Sequence, residues 1–485
     1  MTRRVVALAA LAAALGGCGT TVPAANRQAA LDDGSAAAPT TSSAQTPTDQ
    51  QVLTPSRAAA ARSTTTTGQS QRSGPDNAGP ATTVASGVPT SPSGPLRVGL
   101  LYTAGADEAA KTLGISGVST GDVVAQANAV AAYLNAHGGV LGRQVKVVPY
   151  GLSTSDNANN PAAAQEAACT SFTQDSHVAA VVSYNNVLAT FVQCLHRAGV
   201  PLIDDAQGPS ESALAHLPDA LFQPGGLLPG RLYRNVAEAL GSSGFLTKSS
   251  KVGIFAYDDN DSNQTIHDFV RPALAKLGIT SVTVEQTSND AAGVSGNSAI
   301  VAKFAASGVD RIIPVGASPL FLMQAAETQH YYPRYGLNSG FGPGALFETA
   351  APADQLKGSQ SFGFQPYSDI GRGNRGGPVS SNETLCFSIM KSAGQGSTAA
   401  TTQLLQVQLC DTFFFLRDAA TKSAGVTGPL LTAGSMLLGT SWPSPATFSS
   451  SFPNRRPDGV GSYRLAVYED ACSCYQYKGG RRPTT

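Results

Sequence analysis

The stretch that decides the fold is Asn135-Ala136-His137-Gly138-Gly139-Val140-Leu141-Gly142-Arg143. Its glycines reach positive φ angles easily, so it predicts the end of a helix followed by a turn. Before it, Val123–Leu134 carries apolar residues at the three-and-four spacing of an amphipathic helix. Apolar runs at 96–101 and 145–150 flank this helix and its stop. These segments together predict a β-α-β unit, which has parallel strands and a right-handed crossover.

The same turn with its flanks, YLNAHGGVLGRQVKVV at 133–148, carries a resemblance. It resembles the opening of periplasmic-binding-protein type I receptors of the branched-chain amino-acid-binding (Leu/Ile/Val-binding-like) family. In that family an Asn, a Gly-Gly pair and a Gly-Arg pair end the first helix and lead into the second strand. A generic helix stop before a strand is the alternative. The resemblance implies two doubly wound, Rossmann-like α/β lobes joined by a hinge, with a ligand bound between them.

From residue 96 onward, apolar runs of strand length alternate with helical patterns, and this alternation predicts an α/β fold with parallel sheets covered on both faces. The predicted strands are 97–101, 144–148, 178–182, 201–204, 251–256, 280–284, 311–315 and 463–468. About 390 residues exceed one doubly wound domain, so we expect two lobes. The resemblance places a first lobe at 96–222 plus 368–455 and a second lobe at 223–367 plus 456–485.

The N-terminus has the form of an export signal. Arg3 and Arg4 supply positive charge, 5–15 is apolar, and Leu15-Gly16-Gly17-Cys18 is similar to a bacterial lipobox. Residues 1–18 therefore predict a lipoprotein signal peptide that is cleaved before Cys18, whose thiol is then lipidated. An ordinary secretory signal with an incidental cysteine is the alternative. Lipidation predicts an exported protein anchored to the cell membrane and facing the outside of the cell envelope.

Residues 19–95 are rich in Ala, Thr, Ser, Pro, Gly and Gln and nearly lack large apolar side chains. Such a segment buries too little apolar surface to offset the entropy of ordering, so it predicts a disordered tether. The chain as a whole has a formal net charge of zero and no basic stripe, which argues against nucleic acid as a partner.

Seven cysteines, with one lipidated, leave an even number in an oxidising compartment, which favours disulfides. Cys169 and Cys194 sit on helices that flank one predicted strand, and they form the first predicted pair. Cys386 and Cys410 form the second. Cys472 and Cys474 either pair with each other or reach other partners. No His lies near this C-x-C at zinc-ligand spacing, so no metal site is predicted.

Ligands of open α/β sheets bind where parallel strands end, near helix N-termini. The loops that follow the predicted strands are therefore the candidate site, and the resemblance implies the same loops. The candidate ligand-binding residues are Tyr102, Ser183, Tyr184, Asn185, Asn186, Asp204, Asp205, Ala206, Tyr257, Asp258, Asp261, Ala317, Ser318, Asn338 and Phe341.

Several of these residues have an alternative role in the fold instead of a contact with the ligand. The segment Asp258–Asp261 suits a helix N-cap as well as a ligand contact. Asp204 and Asp205 are alternatively solvated turn residues, and Tyr184 is alternatively part of the core. The family's aromatic positions in the second lobe and its acid for a ligand ammonium are not matched at Asp261, 317–318 and 338–341. An α-amino acid is therefore in doubt, and an amide, another polar solute or an aromatic compound fits equally well.

The sequence contains no G-x-S-x-G elbow, H-E-x-x-H helix or P-loop, and its six histidines are scattered. We therefore predict a binding protein without cofactor and without catalytic residues rather than an enzyme. The predicted function is that of a monomeric, lipid-anchored solute-binding protein whose closed lobes deliver a small molecule to an ABC-type permease. A sensory or scaffolding lipoprotein of the same fold is the first alternative. A hydrolase on a related α/β scaffold is the second.

Overall fold

The computed structural model describes residues 94–485 except 113, 114, 116, 289 and 290. The predicted signal peptide at 1–18, the lipidated Cys18 and the predicted tether up to residue 93 lie outside the described residues. No helix in the described ranges is long and apolar enough to cross a bilayer.

The predicted fold class is confirmed: the chain forms two mixed α/β units, each built on its own sheet. The strands of the first sheet are β1 (Leu96–Ala104), β2 (Val145–Ser153), β3 (Ala180–Ser183), β4 (Leu202–Asp204) and β5 (Leu221–Phe222). They lie in the order β2-β1-β3-β4-β5, and every pair is parallel.

The second sheet has the order β12-β11-β10-β9-β8-β6-β7. Its strands are β6 (Val252–Tyr257), β7 (Val282–Thr287), β8 (Arg311–Val315), β9 (Arg334–Asn338), β10 (Gln360–Gly363), β11 (Ser462–Glu469) and β12 (Cys474–Pro483). The pairs from β7 to β10 are parallel, whereas β11 runs antiparallel to β10 and β12. The second sheet is therefore completed by the last segment of the chain.

The helices fill the connections between strands. Those before β6 are α1 (Ala106–Thr112), α2 (Val123–Ala136), α3 (Thr154–Asn159), α4 (Pro161–Thr170), α5 (Ala189–Arg197), α6 (Glu211–Leu214) and α7 (Pro229–Ser242). Those between β6 and β10 are α8 (Asn260–Thr265), α9 (Arg271–Lys276), α10 (Ala291–Ala306), α11 (Leu320–Thr328), α12 (Glu348–Ala350) and α13 (Ala353–Leu356). After β10 come α14 (Pro366–Asp369), α15 (Ser381–Ser392), α16 (Ala400–Ser423) and α17 (Gly428–Met436).

Hydrogen bonds and backbone geometry explain the residue types found in the turn after α2. Asn135 Oδ1 accepts a hydrogen bond from Val145 N at 2.6 Å, and Asn135 Nδ2 donates to Val145 O at 3.0 Å, so this side chain fixes the start of β2. Gly139 has a φ of 70°, and a Cβ there would lie 2.0 Å from Arg143 O. Arg143 donates to the carbonyls of Gly94 and Pro95, which holds the chain where β1 begins.

Both faces of each sheet are covered. On one face of the first sheet, Leu100 and Val182 pack with Leu134 of α2 and Phe413 of α16. On the other face, Leu101 packs with aromatic side chains from the segments of α4 and α5. The second sheet is enclosed likewise, by α10 and α11 on one face and by α7 and α9 on the other. Fully covered faces explain why most of these strands read as continuous apolar runs.

Disulfides join Cys169 to Cys194 and Cys386 to Cys410, as predicted. Cys472 and Cys474 pair with each other at the turn between β11 and β12. The first bond links the ends of α4 and α5, which pack on one face of the first sheet. The second links α15 to α16 on the opposite face.

Candidate functional site

A cavity of about 110 Å³ lies where the carboxyl ends of the parallel strands of the two sheets face each other. We call it the central cavity. The first sheet contributes residues that follow β1, β3 and β4, and the second sheet contributes residues that follow β9 and β10. The first turns of α16 and the crossover after β5 complete its wall. Because strand ends leave backbone groups and loop side chains free to turn inward, this is where an open α/β sheet places a ligand.

Some of the sequence-predicted residues meet in this cavity. Its wall contains Tyr184, Asn186, Asp205, Ala206, Asn338 and Phe341. They come from the loops after β3, β4 and β9, so the rule about strand ends selects these three loops well.

Ser183 and Asn185 lie behind the wall instead. Asn185 is buried, accepts a hydrogen bond from Thr103 Oγ1 at 2.7 Å and donates to Leu101 O at 3.0 Å. Its own N–H donates to Ser183 Oγ at 2.9 Å. These bonds fix the loop after β3 to the end of β1, so the two residues position Tyr184 and Asn186. Tyr102 and the buried Asp204 are likewise outside the cavity wall.

The loops after β6 and β8 also stay outside the central cavity. Asp261 Oδ1 accepts a hydrogen bond from Ser210 Oγ at 2.7 Å, and Gln264 Oε1 accepts one from Ser212 Oγ at 2.6 Å. The loop after β6 therefore packs against the segment after β4 and seals one side of the cleft. Asp258 is exposed, and Ser318 is partly exposed. Tyr257 and Ala317 are buried in the core of the second sheet.

The helix-capping alternative at 258–261 is realised by Asp259, which is 5% exposed and accepts a hydrogen bond from Ser262 N at 2.6 Å. Burial raises the pKa of this carboxyl to about 6. The cap orients α8 so that Asp261 in its first turn reaches Ser210.

Sequence reasoning missed several residues of the wall. They include Thr103, Gln365, Leu404 and Gln408. Gln365 spans the cleft: its Nε2 donates to Gly225 O at 2.8 Å, and its Oε1 accepts from Gln408 Nε2 at 3.5 Å. A Gln-Pro dipeptide after β10 was the available signal for Gln365. Leu404 and Gln408 gave none, because their helix reads as an ordinary amphipathic one.

The wall is mainly apolar, with amides and hydroxyls at a few points. Leu227, Phe341 and Leu404 supply apolar surface from the crossover, the second sheet and α16. Among the described residues of the wall there is no Lys, Arg or His, and Asp205 is the one carboxylic acid. The described ranges contain no group of three or more His, Cys, Asp or Glu side chains placed to hold a metal ion.

Ser339 is the wall residue closest in type to a catalytic nucleophile, and its hydroxyl is fully engaged. Ser339 Oγ donates to Asp369 Oδ1 at 2.7 Å and accepts from the backbone N–H groups of Phe364 and Gln365 at 2.7 and 3.1 Å. Burial raises the pKa of Asp369 to about 8. The pair therefore holds β9 and β10 in register at the cavity instead of activating an oxygen for attack.

The segments that cross between the two sheets are tied together by one buried ion pair. Arg231 in the first turn of α7 donates from Nη1 to Asp458 Oδ1 at 3.0 Å, and from Nη2 to Val460 O at 2.8 Å. Asp458 Oδ2 accepts from Leu228 N at 2.9 Å. The crossover after β5 pairs with the crossover before β11 through a parallel bridge between Gln223 and Asp458. No motif in the sequence indicates this pair.

The fold and the cavity define a two-lobed α/β protein with an enclosed site between facing sheet edges. A family model described as periplasmic binding protein matches residues 95–372, which is more than half of the chain. The chain belongs to this family, as the sequence resemblance predicted. None of the curated proteins matches it.

Solved structures share the fold at low sequence identity. An ABC transporter substrate-binding protein from Desulfitobacterium hafniense in complex with Leu is 15% identical, has a TM-score of 0.55, and covers 79% of this chain and 99% of its own. A branched chain amino acid ABC transporter from Thermus thermophilus with bound valine is 14% identical, has a TM-score of 0.57, and covers 80% and 97%. A solute binding protein of an ABC transporter from Rhodopseudomonas palustris BisB5, in complex with 3,4-dihydroxy benzoic acid, is 13% identical with a TM-score of 0.56 and the same coverage.

Proposed function

We propose that the protein is an exported, lipid-anchored solute-binding protein that captures a small molecule in the central cavity and delivers it to an ABC-type transporter. The central cavity carries this proposal, because its wall comes from both sheets and from the crossovers between them. A site built in this way forms only when the two lobes approach, so ligand binding and hinge closure stabilise each other. The lobes are proposed to span 96–222 plus 368–455 and 223–367 plus 456–485, and the protein is proposed to act as a monomer.

The size of the cavity limits the solute. A cavity of roughly 150 Å³ accommodates benzene, which has six non-hydrogen atoms, so about 110 Å³ suits a molecule of roughly four or five. The apolar side chains favour a compact apolar body. The amides of Asn186, Gln207 and Gln408 offer hydrogen bonds to a polar end. A small solute with one polar group fits this wall better than a sugar or a nucleoside.

A screen of the full-length protein tests solute binding. Amino acids, amides, small aromatics, sugars and nucleosides are added separately, and the melting temperature is recorded. A ligand at 100 times its dissociation constant adds about 2.7 kcal/mol to the free energy of unfolding. A shift with a small solute supports transport or sensing, and calorimetry then gives the affinity. The absence of any shift across the set would favour the scaffolding alternative.

We predict that Ala206→Phe abolishes binding of any solute found in this way. Ala206 is partly exposed into the cavity, and a phenyl group there occupies most of the free volume. Ala213→Phe is the matched control, since Ala213 is partly exposed on α6 and is not part of the cavity wall. Calorimetry of both variants measures the effect. Undiminished binding by Ala206→Phe would place the ligand elsewhere.

We also predict that Cys18→Ala moves the protein from the membrane fraction to the medium. The motif Leu15-Gly16-Gly17-Cys18 supports lipidation of the Cys18 thiol, and stable anchoring needs the acyl chains. Fractionation of producing cells followed by mass spectrometry of the N-terminal peptide measures the outcome. A wild-type peptide without added lipid, or an unchanged distribution of Cys18→Ala, would contradict the anchor.

A further inference from the structure

Asp205 places a carboxyl group with an unused oxygen at the central cavity. The side chain is 3% exposed, and it forms part of the cavity wall. Its Oδ1 accepts a hydrogen bond from Gly225 N at 2.7 Å. Within the described ranges, no N–H or O–H group donates a hydrogen bond to its Oδ2. A buried carboxyl oxygen without a donor is costly, so its presence at a binding cavity calls for a cause.

Asp411 of α16 stands directly behind Asp205. It is completely buried, its Oδ1 accepts from Ser444 Oγ at 2.5 Å, and its Oδ2 is likewise without a donor from any other described residue. The two carboxyls repel each other when both are charged, which favours a proton on one of them. Burial raises the pKa of both carboxyls, that of Asp411 to about 7. Without ligand, the pair therefore keeps a proton to a higher pH than an ordinary aspartate does.

Among the described residues, no Lys, Arg or His side chain acts on this pair. Asp204, on the same strand end, is a third buried acid whose pKa is raised by burial to about 7. The other groups that face the pair are neutral: the Gly225 amide, the Ser444 hydroxyl and the amide of Gln365. Tyr184 in the cavity wall stays neutral as well, because burial raises its pKa far above the ordinary value. Full ionisation of the pair is thus opposed until a cation arrives from outside.

We propose that the central cavity binds a small organic cation, an ammonium compound with a short apolar body, whose charge is balanced by Asp205 with Asp411 behind it. This inference rests on the proposed function, since it takes the central cavity as the ligand site. The aromatic rings of Phe341, Phe364 and Tyr184 in the wall suit a cation, because the faces of aromatic rings attract positive charge. The apolar side chains of Leu227 and Leu404 accommodate the body of the molecule.

Binding of such a cation displaces the proton that the carboxyl pair holds. The O–H bond of the protonated carboxyl breaks, its electron pair remains on the carboxylate, and the proton passes to the solvent. The ammonium group keeps its own protons throughout. Affinity is therefore expected to rise about tenfold per pH unit where the free protein holds the proton, and to level off above about pH 7.

Three probes of matched size separate the charge types: butylammonium, butanamide and butanoate. Calorimetry with the full-length protein at pH 7.5 is expected to show binding of butylammonium and at least tenfold weaker binding of the other two. Titrations of butylammonium at pH 5.5, 6.5 and 7.5 give the pH dependence. Repeating them in buffers with different ionisation enthalpies counts the protons released.

Asp205→Asn is expected to weaken butylammonium binding at least about 30-fold, because the buried charge that pairs with the cation is lost. The asparagine retains an oxygen for Gly225 N and an amide that donates to Asp411, so the local structure is preserved. Asp259→Asn is the matched control. Asp259 is also a buried carboxyl, it lies outside the cavity wall, and Asn retains its helix-capping bond.

The outcomes separate this inference from the proposed function. If butanamide or butanoate binds and butylammonium does not, the cation is excluded and solute binding stands. If butylammonium binds equally well to Asp205→Asn, or without dependence on pH, the carboxyl pair is not its partner and the inference fails. If neither these probes nor the wider solute set binds, the inference and the proposed function both fail.

Discussion

Replacing Arg231 by methionine is expected to lower the free energy of unfolding by about 3 kcal/mol or more, because breaking a buried ion pair leaves an uncompensated charge. Arg231 is 6% exposed and Asp458 is 1% exposed. Methionine fills a similar volume but removes the hydrogen bonds to Asp458 and to the carbonyl of Val460. Arg456, whose Nε lies 2.9 Å from Asp458 Oδ1, retains part of the electrostatic balance and limits the loss.

Chemical denaturation monitored by circular dichroism measures this change. Arg234→Met is the matched control, since Arg234 lies on the same helix, is exposed, and lacks an acidic partner among the described ion pairs. This control substitution is expected to lower the free energy of unfolding by less than about 0.5 kcal/mol. The double variant Arg231→Met with Asp458→Asn is expected to lose less free energy of unfolding than the two single variants lose in sum, because it leaves neither charge without its partner. Equal stabilities of the two arginine variants would contradict the role of the ion pair.

The consequence for function lies in the position of this ion pair. It joins α7 to the crossover before β11, and Leu227 of the neighbouring crossover contributes to the cavity wall. The hinge of a two-lobed protein must bend without losing its register. The ion pair and its hydrogen bonds hold these two crossovers in alignment. Arg231 is thus a positioning residue for the cleft.

The fold was largely predictable because covered parallel strands leave a strong signal. β1, β3, β6 and β8 read as apolar runs, and the pattern of Asn, glycines and Arg at 135–143 indicates the first crossover. β9 and β10 were missed although they lie inside the second sheet, because their sequences Arg-Tyr-Gly-Leu-Asn and Gln-Ser-Phe-Gly are not apolar runs. β12 escaped notice since it is an edge strand whose residues from Lys478 to Pro483 are exposed, and polar edge strands lack that signal. β5 was missed because it has two residues.

The site was predictable only where it depends on local sequence. Tyr184, Asp205 and Asn338 follow strands directly, so the rule about strand ends found them. The same rule also selected Asp258 and Ala317, because it identifies an edge of a sheet but not which loops lean into the cleft. The segment Thr401–Gln408 was not predicted because it belongs to the start of α16, which follows no strand. It reaches the cavity only through the tertiary packing of that helix. Asp411 was invisible for the same reason, since one acid in a long helix has no partner in the sequence.

Lowering the pH from 8 to 5 is expected to raise the melting temperature of the ligand-free protein by about 5 °C. Burial raises the pKa of Asp369 to about 8 and that of Asp204 to about 7, against an ordinary value of 3.8. Between pH 4 and 8 the folded protein therefore binds more protons than the unfolded chain. Stability is highest at the acidic end of this range and declines as the pH rises through the folded-state values, which is the reverse of the usual behaviour of salt-bridged carboxylates.

Asp369→Asn isolates one of these groups. Asp369 accepts hydrogen bonds from Ser339 Oγ at 2.7 Å and from Tyr477 OH at 2.8 Å, and asparagine keeps one such oxygen without a charge. The variant is expected to lose part of the pH dependence, and its melting temperature should exceed that of the wild type more at pH 8 than at pH 5. Asp354→Asn, at an exposed carboxyl on α13, is the control and should preserve the wild-type profile.

Differential scanning calorimetry from pH 5 to 8 distinguishes this picture from a conventional acid-sensitive fold. A melting temperature that rises with pH in the wild type would show that the buried acids are ionised and paired in the folded state. A profile unchanged by Asp369→Asn would assign the proton uptake to the other buried acids, which are Asp259 and, with larger shifts of the pKa, Asp204, Asp205 and Asp411. Since the last three acids lie at or beside the central cavity, an ammonium ligand should then reduce the destabilisation at pH 8. In that case the ionised buried acids destabilise the ligand-free protein, and pairing with a bound cation removes this destabilisation and so contributes to the free energy of binding.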